Sequence, residues 1–255
     1  MRVWHLVGRG GVLAFVLVGS VLAGCGTSTS TSIPPTTTSS TITTAPSTTL
    51  PSIAPYLALW PFRTVSDVQS WQQAYSSSGI DAWHLNSSTT ALNFTMDYLG
   101  FMEVNAVIGS TTNGSGTHVS VGFHPTSGSS VTSAVVHLVR WGTGSNAPWE
   151  VVGTDDTTFS LTIPAYGATA SSPLPVGGTI TGADENISVN VRQPSSSSAI
   201  GSYCCTPAGG TGSPWSATVS YAGATDPVLT IVAATGGHIQ AVERFTVTGV
   251  RFTAP

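Results

Sequence analysis

The feature that most constrains this chain is a two-residue alternation of apolar and polar side chains, in short runs broken by Gly, Pro, Ser and Thr. Residues 118–124 put Val119, Val121 and Phe123 on one face and His118, Ser120, Gly122 and His124 on the other. Only an extended strand has a side-chain period of two, so such runs predict strands with one buried face. Longer and shorter runs of the same kind occupy 131–141 and 149–152. From Thr158 onward no helical period is visible. Strands are expected at 159–163, 174–181, 187–192, 216–221, 228–233 and 242–250, recurring roughly every ten residues as in a β-sandwich. In one of these, Ile187, Val189 and Val191 face one way and Ser188, Asn190 and Arg192 the other; in another, Trp215, Ala217, Val219 and Tyr221 form the buried face.

Ahead of these strands two segments have a helical period. Residues 65–75 (VSDVQSWQQAY) read as a helix with Ser66 as N-cap. In 90–99, Leu92, Met96 and Leu99 fall at helical spacing, with Gly100 as a C-cap. Residues 53–156 are therefore expected to form an α+β domain, two helices on a curled antiparallel sheet, which resembles the NTF2-like and cystatin-like topologies. Residues 157–255 are expected to fold separately as an all-β sandwich.

The opening MRVWHLVGRGGVLAFVLVGSVLAGC has Arg2 and Arg9, no acidic residue, and an apolar run over 11–23. That run is short of the about 20 residues a membrane span needs. Leu22-Ala23-Gly24-Cys25 resembles the lipobox of bacterial lipoproteins. The resemblance implies removal of residues 1–24 and a diacylglyceryl thioether, with palmitate-type acylation, on Cys25. The lipid would hold the chain in a bilayer on the extracytoplasmic face of the bacterial cell membrane. Residues 26–52 are mostly Ser and Thr with interspersed Pro, a composition that cannot bury a core. They are expected to be a tether spanning about 30 Å as a flexible coil; a glycosylated stalk and a bare spacer both fit.

Composition narrows the partners. Charged residues are only 7% of 255, there is no lysine, and the net charge is −4. Without a basic stripe, nucleic acid is excluded as a partner, and so is a polybasic membrane-binding patch.

In the second half, IPAYGATASSPLPVGGTITG, NISVNVRQ, PWSATVSY and LTIVAATGGHIQAVERFTVTGV resemble the Gmad2 domain of spore-germination proteins. Pro164, Gly167, Ser172, Pro173, Leu174, Val176 and Gly178 fit its opening pattern. The GADENI and SYCCTPAGGTGSP stretches depart from it. The resemblance implies an immunoglobulin-like sandwich and a link to sporulation or germination.

No motif for chemistry stands out. G-x-S-x-G, G-x-G-x-x-G, the P-loop and H-E-x-x-H are all absent. The acidic pairs Asp155-Asp156 and Asp184-Glu185 fall in turns, where Asp commonly caps backbone groups. His118 and His124 lie roughly 20 Å apart along one strand, too far to share a metal. His137 reads as a half-buried core histidine. Trp60, Trp71, Trp83, Trp141 and Trp149 read as core, with a Trp-lined cleft as the alternative; Trp215 points inward. No catalytic residue, metal or cofactor is expected. Of the three cysteines, Cys204 and Cys205 are adjacent. In an oxidising compartment they form a vicinal disulfide, stay as two thiols, or pair across chains, and all three arrangements stay open. The expectation is thus a non-catalytic envelope lipoprotein that binds a wall polymer or an envelope protein. A lipid or small-ligand carrier with a pocket in 53–156 is the alternative, and a wall hydrolase the third. A deep apolar cavity would favour the carrier, a convergent acid and histidine cluster the hydrolase, and a polar surface with neither the binding module.

Overall fold

A computed structural model describes residues 53–253, apart from the side chains of 183–185. The leader, Cys25, the 26–52 segment and the Asp184-Glu185 side chains lie outside the described residues. The chain is mostly β with two short helices.

Helix α1 (Val65–Ser78) starts before Ser66, which is not its cap. Thr64 is the N-cap: its Oγ1 accepts from the Asp67 N–H at 3.1 Å, and Asp67 Oδ2 accepts from the Thr64 N–H at 3.0 Å. This reciprocal box satisfies two N–H groups that a helix start leaves unpaired. Gly79, at φ 69°, closes the other end. Val68 and Trp71 are the buried positions and join Phe62 and Trp141 in a small cluster.

The second helix, α2 (Ser87–Asn93), begins at an Asn86 cap rather than at Thr90. It runs into a π-turn at Phe94–Tyr98, closed by Leu99 N–H on Phe94 C=O at 2.9 Å. Phe94, Thr95 and Tyr98 all point inward; with Ala91 they continue one i, i+3, i+4, i+7 face. Gly100 follows at φ 84°.

The first sheet is an antiparallel meander of β1 (Ala106–Asn113), β2 (Gly116–Phe123), β3 (Val131–Arg140) and β4 (Trp149–Thr154), in that order. Strand β1 was not expected; its second half lies in the stretch STTNGSG, which reads as turn. Burial along β2 follows the alternation, with Val119, Val121 and Phe123 inward. Helix α2 packs on all four strands.

The second sheet has the order β5-β9-β8-β6-β7 and is barrel-like. Its strands are β5 (Thr169–Ala170), β6 (Leu174–Arg192), β7 (Gly201–Val219), β8 (Val228–Thr235) and β9 (Arg244–Phe252). Strands β6 and β7 make one long hairpin of 19 residues a side. It absorbs the expected strands 174–181, 187–192 and 216–221, and also the SYCCTPAGGTGSP stretch expected as a loop. Register slips around Gly182, and Gly182 and Gly210 hold φ of 119° and 109°. Such left-handed positions suit glycine and let a strand bend. The two halves of the hairpin consequently cover the same core: Val176 and Ile180 from one end, Val189 and Val191 from the other.

Strands β8 and β9 are covered on both faces. Leu229, Ile231 and Val250 join the β6–β7 core, while Val232, Ala234, Phe245 and Val247 join Leu59, Phe94, Val119, Leu138 and Val151 under the first sheet. Phe245 meets Phe101 with ring centroids 5.3 Å apart, and Val247 N–H donates to Thr154 Oγ1 at 2.8 Å. The chain on either side of residue 156 therefore shares a core. A strand buried on both faces reads as a near-continuous apolar run, which is what VLTIVAAT is.

Candidate functional site

The end of β4, the 155–166 segment and β9 enclose a cleft of about 540 Å³. Most lining side chains are polar, among them Tyr56, His137, Asp155, Asp156, Tyr166 and Thr246. Tyr166 pins one wall: Leu57 N–H donates to its hydroxyl oxygen at 2.6 Å. Burial raises the Tyr166 phenol above its ordinary range, partly offset by that hydrogen bond.

At one edge of the cleft His118 and His137 stand directly opposite each other on β2 and β3. Their rings stack with centroids 4.3 Å apart and planes 16° from parallel. Cross-strand neighbours sit about 4.5–5.5 Å apart at Cβ, so register alone brings the two imidazoles together. Asp155, just past β4, is placed by its N–H on Val135 C=O at 2.9 Å. Its Oδ2 lies 2.7 Å from His118 Nδ1. Ser115, in the β1–β2 turn, closes the other side, with its Oγ 3.2 Å from His118 Nε2 and its carbonyl 3.0 Å from His137 Nε2. Gly116, at φ 141°, permits that closeness; a Cβ there would meet His137 Nε2 at 3.0 Å. Tyr56 completes the corner edge-on to His137 at 5.2 Å.

Ser115, His118 and Asp155 fall in the hydroxyl–imidazole–carboxylate order that hydrolases use. The Ser115 hydroxyl, however, lies closer to Asn113 Oδ1, at 2.6 Å, and the Ser115 N–H donates to that same oxygen at 2.8 Å. A single hydroxyl proton cannot serve both acceptors. The shorter contact makes it a turn-closing group rather than an activated nucleophile.

His124 stands apart, its Nδ1 2.8 Å from Ser130 Oγ. The tryptophans are mainly packing: Trp71, Trp141 and Trp215 are buried, and Trp60 stacks on Trp83 at 5.4 Å. None lines this cleft; Trp149, beneath Arg140 at 4.5 Å, borders another recess of about 400 Å³. Cys204 and Cys205 lie exposed on β7 with their sulfurs against each other.

Two buried ionisable groups were not visible in the sequence. Glu150 on β4 is fully buried, and burial pushes its carboxyl well above the usual range against a hydrogen bond from Phe62 N–H to Oε2 at 3.2 Å. Burial lowers His84 to about 4, with Asp81 pulling weakly the other way.

No protein-family model, curated protein or solved structure matches this chain.

Proposed function

We propose that this is a lipid-anchored protein of the bacterial cell envelope that binds a polar partner without catalysing a reaction. The lipid on Cys25 holds it to the membrane, the 26–52 segment spaces the head from it, and the cleft takes a segment of wall polymer or of an envelope protein. The observation that carries this reading is the cleft beside β9. About 540 Å³ falls within the about 300–1,000 Å³ common for ligand sites, and its hydroxyl, carboxylate and imidazole lining suits a hydroxyl-rich or amide-rich ligand. A small polar molecule is the second reading, favoured by the same volume. The convergence of His118, His137 and Asp155 is the observation that favours a hydrolase as the third reading; the Ser115 hydroxyl, held by Asn113 Oδ1, is not placed as its nucleophile.

In this reading β6–β9 are a Gmad2-like, immunoglobulin-like sandwich. Support comes from the pattern residues between Pro164 and Gly178 and from the shared core of the bent β6–β7 hairpin. A role in sporulation or germination follows only through that resemblance.

The test is cosedimentation of the full-length chain, in detergent, with isolated cell-wall sacculi. Thr162, an exposed residue lining the cleft, is replaced by Trp to fill it. Wall binding that falls at least tenfold in T162W, with an unchanged melting temperature, is the expected result. Binding untouched by T162W would place the contact elsewhere.

A further inference from the structure

We propose that His118, His137 and Asp155 bind one divalent transition-metal ion, zinc above all, at the edge of the cleft. Their candidate ligand atoms all lie within 4.8 Å of one another. Two ligands on one zinc, at about 2.0–2.2 Å from it, stand roughly 3.4 Å apart in a tetrahedral shell. The convergence needed is therefore on the order of 1 Å, within reach of small side-chain rotations on a sheet whose backbone is already in register.

The hydrogen bonds around the two rings say which nitrogens are offered. The Ser115 carbonyl can only accept, so His137 Nε2 carries a hydrogen and donates to it at 3.0 Å. This leaves the His137 Nδ1 lone pair free. On the neighbouring ring, His118 Nε2 faces the Ser115 hydroxyl at 3.2 Å and Nδ1 faces Asp155 Oδ2 at 2.7 Å. With the Nε2 atoms of both rings facing Ser115, the Nδ1 atoms are the nitrogens left for an ion, and that of His118 already faces Asp155. A ligating histidine whose other N–H is held by a carbonyl or hydroxyl is the arrangement that fixes tautomer and ring angle at metal sites. With an ion on Nδ1, the His118 hydrogen sits on Nε2 and can donate to Ser115 Oγ, while the Ser115 hydroxyl donates to Asn113 Oδ1 at 2.6 Å. The ion replaces the proton lying between His118 Nδ1 and Asp155 Oδ2.

The donor set selects the metal. Two imidazoles and one carboxylate suit zinc, copper or nickel, whereas calcium and magnesium need a shell of oxygens. Three protein ligands leave a fourth position. Because His137 and Asp155 line the cleft, that position opens into it and can take water or an oxygen of a bound molecule. The proposal stands apart from the envelope reading, since it needs neither the lipid on Cys25 nor a wall ligand.

The experiment uses the full-length chain in detergent, without a polyhistidine tag, stripped of metal and titrated with Co²⁺ and Zn²⁺. Visible absorption reads the cobalt geometry, calorimetry the zinc stoichiometry and affinity, and thermal melting the fold. The expected result is one equivalent bound, tetrahedral-type cobalt bands displaced by zinc and not by Ca²⁺ or Mg²⁺, and a melting temperature raised by zinc. His118→Ala, His137→Ala and Asp155→Asn should each weaken zinc binding at least tenfold, while His124→Ala, at an exposed histidine outside the cluster, should leave it unchanged. Absence of saturable binding below about 100 μM, the same loss in H124A, or affinity unchanged in D155N and H118A would overturn the proposal. Should an alanine variant fail to fold, the wild-type cobalt spectrum decides alone: octahedral-type bands or none would refute it.

Discussion

Cutting the chain at Thr158 tests the shared core. In a fragment of residues 158–255, Val232, Ala234, Phe245 and Val247 lose the covering that Leu59, Phe94, Val119 and Val151 give them; all four are now at most 4% exposed. Burying a Val or Phe side chain contributes about 1.5–3 kcal/mol, so the three larger ones together forfeit about 5–9 kcal/mol. A whole domain is stable by only about 5–15 kcal/mol. The fragment also loses the Thr154 Oγ1–Val247 N–H and Tyr98 Oη–Thr230 Oγ1 hydrogen bonds. Far-UV circular dichroism of the fragment should therefore show no cooperative thermal transition. In the full chain, Phe245→Ala should cost about 3–5 kcal/mol and lower a single urea transition, not one of two. A fragment that melts cooperatively with the full chain's β signature, or a full chain unfolding in two steps of which F245A shifts only one, would refute the shared core.

Glu150→Gln should stabilise the protein at pH 8 and leave it unchanged at pH 4. A carboxyl whose folded-state pKa is raised contributes stability below its unfolded value, near 4.3, and loses it as pH rises through the folded value, by about 1.4 kcal/mol for each pH unit between the two values. The amide mimics the protonated form at every pH, so urea midpoints across pH 4–8 should flatten in E150Q; a parallel decline in both proteins would remove Glu150 as the cause. For Cys204 and Cys205, intact mass after alkylation without reductant should show an unlabelled monomer that takes two labels once reduced. Two labels at the outset, or a dimer that collapses on reduction, would exclude a bond within the pair.

Much of the strand content was legible because alternation survives wherever one face is buried and the other is not. Strands β2, β3, β4, β8 and β9 follow runs visible in the sequence. Strand β1 was not, because its outer half is exposed on both faces and AVIGSTTN carries no period. The second helix was read on a neighbouring face: Leu92 and Met96 are only half-buried, while Ala91, Phe94, Thr95 and Tyr98 are buried, and a polar Thr in that face masked it. Residues 202–214 looked like a loop because Gly, Pro, Ser and Thr make up most of them; pairing with β6 supplies the order that their side chains do not. The candidate site was hidden for a different reason. Distance along one strand separates His118 from His124, but the partner that matters, His137, lies across the ladder, and Asp155 arrives from the strand beyond. Period-two patterning assigns faces; it does not say which residue stands opposite which. Glu150 was hidden because WEVV alternates no differently whether its polar member faces water or, as here, a covered face.

Anchoring through Cys25 is tested most directly by Triton X-114 phase partition of the full-length chain expressed in a bacterium, read by intact mass. The wild type is expected in the detergent phase at the mass of a chain cleaved before Cys25 and acylated there. Cys25→Ala is expected either as an uncleaved precursor or as secreted protein in the aqueous phase. A C25A chain that still enters the detergent phase at the processed, acylated mass would contradict the anchor and, with it, the envelope address on which the proposed function rests.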